Sequence, residues 1–139
     1  MNSYVIDASV AAKWLFLEQG TDEAIQLLTQ FDYFYAPSLF QLELDAIITK
    51  KVRKRELMFE EASSKKVQAS RLPSRLIKYH QISDIAFDIS ITFPVTLYEA
   101  TYIATAILTN SIFYTADERL ARGLSTTPLA KFVKSIYGS

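Results

Sequence analysis

Short apolar runs of β character alternate along this chain with longer segments of helical period. Tyr4-Val5-Ile6 breaks off at Asp7, and such a brief run with polar flanks fits a buried parallel strand. Ser9 is expected to cap a helix reaching about Glu18, and Gly20-Thr21 to open another carrying Ile25, Leu27 and Leu28. Tyr33 to Ala36 reads as a second strand stopped by Pro37, followed by a long helix from Ser38 to about Arg55. Phe59 to Arg71 is polar enough to be an exposed helix, and Arg75 to Tyr79 a third strand. Two helices, Ser83 to Phe93 and Thr96 to Thr109, flank Pro94. A strand through Ile112-Phe113-Tyr114 then ends at Asp117, and a short helix closes at Gly123. The C-terminal segment has no readable pattern. Strands alternating with helices predict one α/β domain, residues 1–139, built on a parallel sheet covered on both faces.

Composition narrows the chemistry. With no cysteine in 139 residues, disulfides, zinc–thiolate sites and thiol nucleophiles are excluded, and the single histidine, His80, leaves no His-rich metal site. No apolar stretch approaches the roughly 20 residues of a membrane span. The first residues lack a basic leader and Lys13 interrupts the early apolar run, so a cytoplasmic protein is the expectation. Three scattered glycines cannot supply a phosphate-binding loop or a nucleophile elbow. Net charge is zero, yet residues 1–49 hold seven acids and one base, whereas residues 50–80 hold ten bases and three acids. That middle segment is either an electrostatic footprint for a polyanion or a solvated helical face.

Four acids fall at informative places. In an open α/β sheet, ligands bind beyond the carboxyl ends of the strands, where Asp7 and Asp117 should sit. Glu43 lies in an apolar helical stripe with Leu39, Phe40, Ala46 and Ile47, and there it needs solvent or a partner. Glu99 and Asp117 also have structural readings. Thr96-Leu97-Tyr98-Glu99 fits a capping box, and Asp117 can cap the helix beginning at Glu118. Ser9 is the expected cap of the first helix, which leaves Asp7 without a structural duty. Together the acids would suit Mg²⁺ or Mn²⁺, which prefer carboxylates and water.

Val5-Ile6-Asp7-Ala8-Ser9-Val10, Glu43 in the long helix, Leu97-Tyr98-Glu99-Ala100-Thr101-Tyr102-Ile103-Ala104 and Tyr114-Thr115-Ala116-Asp117 resemble a PIN domain, most of all the VapC-type toxins of toxin–antitoxin pairs. The resemblance implies a compact three-layer α/β/α sandwich and a divalent-metal-dependent endoribonuclease using Mg²⁺ or Mn²⁺. It also implies a small antitoxin protein as partner and a homodimer. Carried over by position, Asp7, Glu43, Glu99 and Asp117 form the catalytic acidic set. Asp7 and Glu99 would be direct metal ligands, Asp117 would bind directly or through water, and Glu43 would help hold metal or orient water. Ser9 and Thr115 would support them through their hydroxyls, and Lys13 would reach the same rim to meet phosphate. In two places the chain departs from the family: Glu99 stands where Asp is usual, and Ala46 and Ile47 replace a usual Asn. Two other functions compete, an interaction module that kept the fold without catalysis and an RNA-processing PIN nuclease without an antitoxin.

Overall fold

In the computed structural model, which describes residues 3–138, five parallel strands stand in the order β3-β2-β1-β4-β5. They are β1 (Tyr4–Ile6), β2 (Phe34–Pro37), β3 (Ser74–Ile77), β4 (Ile112–Thr115) and β5 (Val133–Ser135). Seven α-helices are described, α1 (Ala8–Leu15), α2 (Thr21–Leu28), α3 (Leu39–Arg53), α4 (Phe59–Ser70), α5 (Tyr79–Thr92), α6 (Leu97–Thr109) and α7 (Glu118–Leu124). The untyped C-terminal segment supplies a 3₁₀ turn, Pro128–Phe132, and the edge strand β5.

Side chains alternate across each strand, and this builds the three layers. Val5 pairs with Tyr35 and with Phe113, so all three share one face. On that face Tyr102 of α6 stacks on Phe113, with ring centroids 5.4 Å apart, and α5 packs against α6. The opposite face presents Phe34, which meets Trp14 of α1 at 5.6 Å and Phe40 of α3 at 5.4 Å, both edge-on. Phe34, Phe40 and Phe113 are fully buried, and such rings dominate the apolar area removed from water.

Boundaries differ from expectation where capping intervenes. α5 begins one turn early, at Tyr79, because the Gln81 side chain reaches back to accept the Lys78 N–H at 3.2 Å; β3 accordingly ends at Ile77. α7 runs one residue past Gly123. Gly20 opens α2 with φ +88, a conformation glycine adopts without penalty, and a Cβ there would run into the Tyr137 hydroxyl.

The strand order creates the site. From β1 the chain builds outward through β2 to β3, then returns to lay β4 against the other side of β1. The carboxyl ends of β1 and β4, paired Ile6 to Tyr114, therefore flank the point where the order reverses. There the covering helices diverge and leave a crevice.

Candidate metal centre

Four carboxylates far apart in sequence meet at that crevice. Asp7, Glu43, Glu99 and Asp117 line one cavity of about 360 Å³, together with Ser9, Thr115, Tyr98 and Tyr102. No Lys or Arg lines it. A larger groove, about 1000 Å³, lies between α2, α7 and β5 and contains none of the four. Chemistry rather than size distinguishes the smaller cavity.

Each acid is tethered through one oxygen. Asp7 sits just past β1 in extended backbone, and its Oδ1 accepts the Val10 N–H at 2.9 Å, so Asp7 caps α1. Ser9 does not cap, contrary to expectation. It already lies within the first turn, and its hydroxyl donates to the same Oδ1 at 2.9 Å. Glu43 Oε1 accepts the Tyr102 hydroxyl at 2.5 Å. Glu99 closes the expected capping box: its Oε1 accepts the Thr96 N–H at 2.8 Å, and its own N–H donates to Thr96 Oγ1 at 3.1 Å. Asp117 Oδ1 accepts the Arg119 and Leu120 N–H groups at 3.0 and 3.1 Å, as its predicted cap requires. Thr115, fully buried, accepts the Asp117 N–H at 3.0 Å and so fixes the turn after β4. The second oxygen of each acid receives no hydrogen bond among the described residues.

The electrostatics follow from crowding anions in a recess. Burial pushes the Asp7 carboxyl up from 3.8 to about 6, against the Val10 N–H and Ser9 hydroxyl, which favour the anion. The Glu43 charge raises it further, and Lys13 opposes. Burial also lifts Glu43 above its ordinary value, offset in part by the Tyr102 hydroxyl. Tyr102 is held firmly neutral, by burial first and by Glu43 next. A cation would relieve these groups, and the donor set, oxygen throughout, suits Mg²⁺ or Mn²⁺. Among the described residues, no three His, Cys, Asp or Glu side chains stand close enough to hold an ion as placed. Glu99 is drawn back to its helix start. One or two carboxylates with retained waters is, however, a common way to bind Mg²⁺.

Two expectations end differently. Lys13 turns away, its Nζ donating to the Gln19 carbonyl at 2.6 Å and pairing with Glu18 at 3.3 Å, and it does not line the cavity. None of the ten bases of residues 50–80 lines it either. Tyr102 received no role from sequence, although it follows Glu99 by three residues and so shares its side of α6.

Together, a five-strand parallel sheet with an acidic crevice at its switch point defines an α/β protein whose strand ends deliver carboxylates to one cavity. The PIN domain model matches residues 4–123, and the chain belongs to the PIN domain family. No curated protein matches the sequence. Among solved structures, a toxin–antitoxin complex from Klebsiella pneumoniae is similar at 16% identity with TM-score 0.68, over 99% of both chains. PAE2754 from Pyrobaculum aerophilum is 16% identical with TM-score 0.64, over 97% of this chain and 84% of that one. VapBC2 from Rickettsia felis, bound to a DNA fragment from its promoter, is 13% identical with TM-score 0.62, over 95% and 97%. At these identities the likeness is one of fold. Among the described residues no helix is long and apolar enough to cross a membrane.

Proposed function

We propose that this chain is a divalent-metal-dependent endoribonuclease, the VapC-type toxin of a toxin–antitoxin pair, which acts as a homodimer and is silenced by a small antitoxin protein. The observation that carries this reading is the convergence of Asp7, Glu43, Glu99 and Asp117 on one cavity lined by no basic residue. Membership of the PIN family supports a nuclease, and similarity to chains from toxin–antitoxin complexes supports the partner.

Asp7, Asp117 and Glu99 would hold the ion through the second oxygens that their capping bonds leave open. Mg²⁺ or Mn²⁺ held there would supply Lewis acidity toward a phosphodiester oxygen and an attacking water. Glu43, lifted by burial, would help hold the ion or orient the attacking water toward the phosphorus. Ser9 and Thr115 hold Asp7 and the Asp117 turn in place. With no Lys or Arg on the lining, the RNA backbone has to be met by more distant bases, including those of α3 and α4.

One feature favours a second reading, an interaction module without catalysis: Glu99 is engaged by its own helix. The two separate in one experiment, in which the purified protein meets a mixed structured RNA pool with Mn²⁺, Mg²⁺ or EDTA, beside Asp7→Asn. Cleavage that needs metal and vanishes in the variant is the expected result. Neither cleavage nor metal-induced thermal stabilisation would establish the module instead.

A further inference from the structure

We infer that Tyr102 is a positioning residue for this site, acting through Glu43 to aim one carboxylate oxygen at the bound ion. The inference rests on the metal-site reading above and adds a residue to it. Glu43 sits in the second turn of α3, half-buried, with a flexible side chain. An acid in that position turns outward unless something retains it. Tyr102 supplies the restraint from a different element, α6, donating its hydroxyl to Glu43 Oε1 at 2.5 Å. Glu43 Oε2 is left without a hydrogen bond among the described residues and is the atom remaining to face the cavity.

The restraint is stiff because Tyr102 cannot move. It is 3% exposed, and its ring lies nearly parallel to Phe113 of β4, at an interplanar angle of 19°. Phe113 in turn belongs to the strand that carries Thr115 and leads to Asp117. The hydroxyl thus ties α3 to the β4 end of the site through one bond and one stack. A hydroxyl meeting a carboxylate oxygen is the donor of that bond, and bonds to charged acceptors are the stronger class. Groups that orient metal-binding carboxylates in this way commonly change metal affinity by roughly 10- to 100-fold when removed.

Tyr102→Phe removes only the hydroxyl and keeps the stack and core volume. The measurement is Mn²⁺ affinity by calorimetry, for the unmodified protein, Tyr102→Phe, Glu43→Ala and the double variant, with melting temperatures alongside to check folding. Tyr102→Phe is expected to weaken Mn²⁺ binding roughly 10-fold or more. In the Glu43→Ala background the same change should alter affinity less than about twofold, because its target is gone. Unchanged affinity in the single variant, or an equal loss in both backgrounds, overturns the role. Absence of Mn²⁺ binding by the unmodified protein overturns the site reading itself and this inference with it.

Discussion

The acidic crevice and the basic α3–α4 hairpin reverse their standing between sequence and structure. The acids are scattered over 110 positions, from Asp7 to Asp117, and they converge on one cavity. The bases fall within one stretch of sequence, and several are engaged away from the cavity. Lys51 pairs with Glu18 at 3.7 Å and lies over the Phe16 ring, while Lys65 donates to the Leu15 carbonyl at 2.5 Å and flanks the same ring. Lys66 pairs with Asp45, and Arg75 stacks on Tyr33 at 3.4 Å. Adjacency along a chain makes a charged face, whereas strand ends meeting at a switch point make a site. A site inside a recess also feels burial, as Asp7 does, while exposed charges are screened by water and salt.

The largest effect that would break this contrast is at Asp7. Asp7→Asn should lower metal-dependent RNA cleavage by roughly 10³-fold or more, yet raise the metal-free melting temperature at pH 7.5. The sign follows from the carboxyl. Because its value is raised in the folded protein, the folded state binds more protons between about pH 4 and pH 6. Metal-free stability is therefore present below that window and lost as pH rises through it. The gap between 3.8 and about 6 corresponds to about 3 kcal/mol. Asparagine keeps the cap and cannot ionise, so the variant's melting temperature should fall less across the same pH range, leaving the smaller contribution of Glu43. A variant no more stable than the parent at pH 7.5 would show that Asp7 bears no burial cost.

Glu99 gives a smaller and sharper test, because it serves a helix and a cavity at once. Glu99→Gln preserves the capping box, which Gln closes as well as Glu, so stability should stay within about 0.5 kcal/mol. Cleavage should nevertheless fall roughly 100-fold through loss of one charged ligand. Unchanged cleavage would assign Glu99 to the helix alone.

The smallest expected effect belongs to the hairpin. Replacing exposed Lys50 on α3 and exposed Lys54 just after it with Glu should weaken RNA binding by only a few-fold and flatten its salt dependence, while Mn²⁺ affinity holds. A large loss of Mn²⁺ affinity in that variant would merge the two regions into one site.

Much of this protein was legible from its residues. The strand–helix alternation, the exposure of α4, the Thr96–Glu99 capping box and the Asp117 cap all depend on local spacing and local backbone bonds. The placement of Asp7 and Asp117 at strand ends was equally local, because each follows its apolar run directly. Other features depended on backbone geometry and on how elements meet. Ser9 lost the cap to Asp7 because strand β1 delivers Asp7 in extended backbone at the helix start. Lys13 went to Glu18 and the Gln19 carbonyl, partners set by the turn after α1. The bond from Tyr102 to Glu43 spans 59 positions, and no periodicity encodes a contact between two helices on different layers. Sequence by itself determined which residues could be ligands and which elements carry them. Tertiary structure alone decided which meet, since only the order of strands in the sheet brings separate ends to one crevice.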